Sequence, residues 1–342
     1  MNKLYALLPL LAALFVPGTL SAQMMPDSTV QVVAYWEVGD QMEYIYTEHK
    51  YEIDADGNEK LTASSSENIR FEVTAATDSS YTLLVHYDNL FDSELLDVPD
   101  GTFPDIPFRI RTSEFGTFEE LENLDEIVAS IQKVIPRFAK MAWDELPPEH
   151  KKEISRKDLE KVMAGLYSED TIFKSCLEEL APLFFYHGAR LDTTEVYSFY
   201  EDVSGLFGGD SIPVPSSFWV DPKLTDDYSV VLHKETVADD EQASALVRAY
   251  LIAVGKTVAG VMDGATVELE TNADESIRKD EMTATYHDYI DEEIHLETGW
   301  PIHWMFDRVF LVNTKDGSSG AHIVREITIA PDETEEEAAA EE

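Results

Sequence analysis

The side chains best suited to chemistry gather late in the chain, where His287, His295 and His303 follow one another at eight-residue spacing. Neutral imidazoles ligate metals and serve as general bases. If Asp291-Glu292 forms a two-residue hairpin loop, Asp288 opposes His295, and His287 opposes Leu296 on the other face. Neighbouring ladder positions alternate faces, so His287 and His295 would not share a metal in that register, although a slip of one residue would change this. Asp288–His295 then reads as an ordinary cross-strand surface pair. Glu292/Glu293 and Glu119/Glu120 are carboxylate pairs of the type glycosidases use, but acid catalysis needs one partner desolvated. A chain with 68 acidic residues offers such neighbours by chance. The single cysteine, Cys176, lies at an apolar position of an expected helix, which favours an inert buried thiol. Phosphate-binding glycine loops, H-E-x-x-H, G-x-S-x-G and C-x-x-C are all absent. The expectation is no catalytic residue, no metal and no cofactor. A hydrolase built from scattered His and Asp/Glu is the least favoured alternative.

The aromatic residues carry more information. Phe184, Phe185 and Tyr186 sit in the dense cluster Pro182–Gly188, and Trp300, Trp304 and Phe306 follow near residue 300. Strand alternation puts Ile302, Trp304 and Phe306 on one face. These six aromatics are either core or the wall of an apolar cavity, and they are the candidate ligand-binding residues. Gly205–Pro222, with three Gly and three Pro, reads as a long loop, either a lid over such a cavity or a surface wrap.

Strands must position these residues. Ile69, Phe71 and Val73 alternate with polar neighbours, turn at Asp78–Ser80, and resume as Tyr81, Leu83, Val85 and Tyr87. Asp54–Asn58 reads as a hairpin turn between earlier strands, because its spacing does not match a calcium loop. Strands are also expected around Gln31–Tyr51, Phe108–Thr112, Glu195–Tyr200, Tyr228–Leu232 and Val267–Leu269, then in a meander over Glu281–Thr314 that includes Ile302–Val312, and last at Ile323–Ile329. Asp316–Gly320 reads as the last hairpin turn.

Between the two groups of strands lies a helical stretch. Thr117–Glu120 and Asn123–Glu126 both match a capping box, so two helix starts compete. Leu121, Leu124, Ile127, Val128, Ile131, Val134, Ile135 and Phe138 then follow a helical period, with Pro136 expected to kink it. Ser155 and Ser168 are expected to cap a second and a third helix, and Asp239 or Asp240 a fourth that runs to about Ala259.

Composition sets the outer limits. The 342 residues carry a net charge of −43 and are 44% hydrophobic, enough for a substantial core. So few cations leave no broad basic surface, which argues against nucleic acid and anionic membranes. Residues 1–22 have the basic, apolar and small-residue parts of a secretory signal, with cleavage expected near Ala22. Residues 23–330 read as a single α+β domain with a helical insertion at about 117–187. Residues 331–342 read as a disordered acidic tail. The expected molecule is a periplasmic or secreted monomer with no transmembrane segment.

The W-x-V-G-D of Trp36–Asp40, the F-x-V and Y-T-L-L-V-x-Y segments within Phe71–Tyr87, and T-G-W-P at Thr298–Pro301 resemble exported Bacteroidota proteins of unassigned function. The expected plan, a large curved antiparallel sheet packed on helices, resembles the LolA/LppX-type half-barrel. That resemblance implies a non-catalytic carrier of a lipid or other apolar ligand, and it brings no catalytic residues. The alternative is a cell-envelope interaction or structural protein, with the sheet edge or the helical arm docking an envelope partner, which a filled core and an exposed apolar patch at Leu183–Tyr186 would favour.

Overall fold

A computed structural model describes residues 28–87, 106–148, 151, 155–203, 211–259, 283–314 and 317–331. The expected signal segment, the strand at Val267–Leu269 and the acidic tail after Pro331 lie outside them. The described chain is α+β.

The first strands are Thr29–Gln31 (β1), Gln41–Ile53 (β2), Glu59–Ala76 (β3), Ser80–Tyr87 (β4), Phe108–Ser113 (β5) and Phe118–Leu121 (β6). Helices Leu124–Glu145 (α1), Arg156–Leu166 (α2) and Glu169–Leu180 (α3) follow, then a 3-10 turn at Ala181–Phe184 and the short strand Arg190–Asp192 (β7). The remainder is Val196–Val203 (β8), Ile212–Val220 (β9), Ser229–Ala238 (β10), helix Asp240–Ala259 (α4), Thr283–His295 (β11), Pro301–Thr314 (β12) and Gly317–Ile329 (β13).

Eleven strands form one antiparallel sheet in the order β6-β5-β4-β3-β2-β13-β12-β11-β10-β9-β8, open at both ends. β1 and β7 form a separate two-stranded ribbon. Two meanders thus build the sheet from opposite ends, and β13 seals them by pairing with β2 from Ile53↔Gly320 to Tyr44↔Ile329. The helical insertion connects one edge strand, β6, to the other, β8.

One face of the sheet is apolar and carries the helices. Ile69, Phe71, Val73, Leu83, Val85 and Ile110 meet Ile127, Val128 and Ile131 of α1 and Ile172, Cys176 and Leu180 of α3. Further along the sheet, Ala284 and Tyr286 pack with Ala243, Leu246 and Val247 of α4. Cys176 is buried, as its helical phase requires.

Local signals explain most helix starts. The Ser155 hydroxyl accepts from the Asp158 N–H, and the Ser168 hydroxyl from Thr171. At α4, Asp239 accepts from the Gln242 N–H at 2.8 Å while Gln242 accepts from the Asp239 N–H at 3.1 Å, a reciprocal capping box. α1 passes through Pro136.

Several expectations give way. Of the two competing helix starts, Thr117–Glu120 is a hairpin end and strand. Gly116, at φ 93°, closes a tight turn in which Ser113 N–H donates to Thr117 O, and this commits Thr117 to the sheet. Asn123 occupies the helix start, but its side chain ties back to Arg109 N–H and Pro107 O.

The stretch read as a loop over Gly205–Pro222 contains β9. Residues 204–210 lie outside the described part. Pro213 and Pro215 misled the reading because a proline interrupts a ladder. Here both lie where β9 pairs with β8 alone, since pairing with β10 begins only at Ser216.

The supposed hairpin at Asp291-Glu292 is the interior of β11, which runs unbroken to His295 before turning through residues 296–300. The last turn is also shorter than expected. Thr314 pairs with Gly317, so Gly317–Gly320 belongs to β13.

Candidate functional site

The longer β11 reorders the chemistry-bearing residues. Asp288 stands opposite Arg308 and Thr236, not His295, and His295 stands opposite Ser229. The three histidines do not converge. His287 meets Glu235 at 3.0 Å, His295 meets Thr298 at 3.0 Å and His303 meets Glu326 at 2.9 Å. Among the described residues no cluster of His, Cys, Asp or Glu could hold a metal. Glu119 and Glu120 both bind Arg111 on the surface.

The opposite phase of β11 faces the helices. Ala284, Tyr286, Asp288, Ile290, Glu292 and Ile294 are all buried, as period-two alternation requires. Over this face lies a cavity of about 410 Å³, between β8 and β10–β13 on one side and α3 with its 3-10 turn on the other. Leu177, Ala181 and Pro182 form its helical wall, and Ile290 and Val203 part of its floor.

Of the six candidate aromatics, four line this cavity. Phe185 is 44% exposed at its margin, whereas Tyr186, Trp304 and Phe306 are buried. Trp304 and Phe306 lie parallel with centroids 6.0 Å apart. Phe184 and Trp300 lie elsewhere. They sit in the main core with Trp36 and Phe71, where Trp300 stacks on Trp36 at 4.6 Å. Both also border a hollow of only about 10 Å³, no larger than one water-sized probe. The idea that Leu183–Tyr186 forms an exposed apolar patch fails, because three of its four residues are buried against the sheet.

Charged residues line the same cavity, a feature the aromatic spacing gave no sign of. Arg308 donates from Nε and Nη2 to the two oxygens of Asp288 at 2.8 and 2.7 Å. Its guanidinium lies 4.9 Å from the Phe306 centroid. Tyr286 donates to Asp288 at 2.6 Å, and burial together with the Asp288 charge pushes its phenol far up. Lys234 donates to Glu201 at 2.7 Å and lies 5.3 Å from the Phe185 ring. Thr236 and Ser216, hydrogen-bonded to each other at 2.9 Å, also reach Glu201. Arg325 donates to Glu48 at 2.8 Å. Burial alone would raise Glu48, but Arg325 and Lys50 together outweigh it and hold the carboxyl below its usual range.

Lys234, Arg308 and Arg325 are therefore each matched by a carboxylate, and an entering molecule would meet aromatic faces and neutralised ion pairs. The wall is suited to apolar and stacking contacts with a few hydrogen bonds at fixed points. Beyond the cavity, Glu292 was legible as a carboxylate but not as a buried one, because its burial depends on the true length of β11.

No protein-family model matches the chain, and no curated protein matches it in sequence. Among solved structures, one of lipid–protein interactions in lipovitellin is similar over 86% of this chain at 10% identity and a TM-score of 0.38. The chain spans 25% of that lipovitellin. A conserved protein of unknown function with a hot dog fold from Alicyclobacillus acidocaldarius matches 87% of this chain and 81% of its own, at 8% identity and a TM-score of 0.11. Likenesses this loose carry no argument about fold or ligand. Among the described residues, no helix is long and apolar enough to cross a membrane.

Proposed function

We propose that this chain is a non-catalytic, exported binding protein that holds one small ligand with an apolar or aromatic body, acting in the periplasm or after secretion. The carrying observation is the cavity of about 410 Å³ between the sheet and α3, with Tyr186, Trp304 and Phe306 in its wall. Small-molecule sites span roughly 300–1,000 Å³. A single chain or ring system fits this one better than a multi-acyl lipid, which narrows the lipid class the sequence led us to expect. The half-barrel reading of the sheet fits the same picture, since β8 and β13 both reach the cavity although four strands lie between them.

Native mass spectrometry of the protein purified from its own source tests the reading. The expected outcome is a small, solvent-extractable adduct, lost when Ile290→Trp fills the cavity. A bare chain mass that does not change after incubation with single-chain amphiphiles would overturn it. A second reading, an envelope interaction protein, rests on the edge strand β8, where Val196 and Tyr200 are 62% and 72% exposed. A stoichiometric protein adduct in the same spectrum would favour it.

A further inference from the structure

The two edges of the sheet are built differently. An edge strand presents a row of N–H and C=O groups that can template another strand, and natural proteins guard it with short length, bulges, proline or charge. β6, at one edge, has four residues and a register shift against β5 between Arg111 and Thr112. Arg111 clasps its Glu119 and Glu120. β8, at the other edge, is neither short nor bulged. Its eight residues pair with β9 in unbroken register from Val196↔Trp219 to Val203↔Ile212. Among the described residues no strand pairs with its other side. It contains no proline and no lysine.

Apolar side chains flank that edge on both faces of the sheet. Val196, Ser198 and Tyr200 alternate onto the face away from the helices, and all three are exposed. Tyr200, at 72%, is the most exposed large apolar side chain among the described residues. It stands opposite Pro215, itself exposed, and the exposed Val237 continues the patch on β10. On the helix side, the half-exposed Phe185 stacks on Phe199 of β8 at 6.2 Å. A strand added to β8 would find apolar neighbours on both of its faces.

Charge selects the occupant. β8 and β9 carry Glu201 and Asp202 and no basic residue, and the exposed Glu195 precedes β8. Glu201 is engaged by Lys234. Glu195 and Asp202 therefore mark the two ends of the exposed edge with negative charge. A second copy of this chain would bring the same acids, on a molecule of net charge −43, against them. We propose that β8 is a docking edge for an extended peptide segment of another protein, with β-branched or aromatic residues in its middle and lysine or arginine at its ends. Main-chain hydrogen bonds supply the affinity of such strand addition, and alternate side chains supply its specificity. The proposal rests on the envelope-interaction reading, to which it gives a partner class, and it does not depend on what the cavity holds.

The test is fluorescence anisotropy of the full chain with a labelled Lys-Val-Thr-Val-Thr-Val-Lys peptide. Saturable binding is expected, with slower amide exchange confined to Val196–Val203. A twin with glutamate at both ends, and a twin of unchanged charge with proline at its centre, should each bind about tenfold or more weaker. Tyr200→Lys puts a guarding charge at an exposed position and should weaken the basic peptide similarly, with the urea midpoint unchanged. A proline twin that binds as tightly as its parent would overturn the proposal, since the attraction would then be that of any cation for a polyanion. A glutamate twin that binds as tightly would overturn the partner's charge. Exchange protection elsewhere, or no binding of the basic peptide, would overturn the assignment to β8. A stoichiometric protein adduct in the mass spectrum would in that case still keep the interaction reading. A dimer of the chain alone, dispersed by Tyr200→Lys, would put a second copy on this edge and overturn the proposed partner.

Discussion

At the scale of single residues, His187 shows how burial turns a side chain into a pH-dependent strut. Its Nε2 meets Gly299 O at 2.7 Å, and its ring packs against Trp36 and Phe184. Burial lowers its pKa from 6.5 to about 4, against the smaller opposing effect of that hydrogen bond. The fold therefore favours the neutral ring. This contribution is fully present above about pH 6.5 and is lost as pH falls through about 4, amounting to roughly 3 kcal/mol at the acid end. Urea unfolding of wild type and His187→Gln should show a stability gap that narrows by that amount between pH 7 and pH 4. A constant gap would refute the assignment. Glu292 runs the other way, because a carboxyl raised by burial disfavours the fold increasingly as pH rises above its ordinary range. Glu292→Leu should thus gain more stability at pH 7 than at pH 4. Nearby, Gly299 sits at φ 73° with an added Cβ only 2.4 Å from Val33 O. Gly299→Ala should cost about 3 kcal/mol or more, read as a lowered urea midpoint.

At the scale of elements, three helix caps and the early hairpins at Asp54–Asn58 and Asp78–Ser80 were legible, and the long strands were not. Ser155, Ser168 and Asp239 act within a few residues of themselves, so the sequence window contains the whole interaction. Ser168→Ala should therefore lower stability by about 1 kcal/mol and fray the start of α3, visible as faster amide exchange at Thr171. An unchanged exchange rate would mean that α3 is held by packing alone. β9 and β11 defeated the same style of reading because their limits depend on distant partners. Pro213 and Pro215 are acceptable only because β10 does not reach them, a fact of register between segments far apart in sequence. Asp291 and Glu292 look like turn residues, yet Glu292 lies between Leu232 and Trp304 in mid-sheet. For the same reason the aromatic wall at Tyr186, Trp304 and Phe306 was foreseeable from composition and alternation. Its partners Arg308, Asp288 and Lys234 were not, since they meet only across strands. Removing one member of such a pair should be expensive. Asp288→Ala strips Arg308 of its carboxylate in a mostly buried setting and should cost about 3 kcal/mol in a urea midpoint.

At the scale of the whole molecule, two opposing electrostatic effects decide how the fold responds to salt. The partly buried pairs Arg308–Asp288, Lys234–Glu201 and Arg325–Glu48 are attractive, and added salt can only weaken them. Against them stands a net charge of −43, an excess of carboxylates over 25 basic residues that must lie mostly at the surface and repel one another. Screening acts most strongly on exposed charges, with a Debye length of about 30 Å at 0.01 M and 3 Å at 1 M, and much less on pairs enclosed by aromatic rings. Repulsion among the many exposed carboxylates should therefore dominate, and salt should stabilise the protein. The thermal midpoint is expected to rise by several degrees between about 0.01 M and 0.5 M sodium chloride. Sodium chloride is the appropriate salt here, because sulfate would also strengthen apolar burial and confuse the cause. A midpoint that falls with salt would mean that the enclosed pairs outweigh the surface. Seen that way, the cavity's matched charges would be a principal support of the sheet as well as the lining of a site.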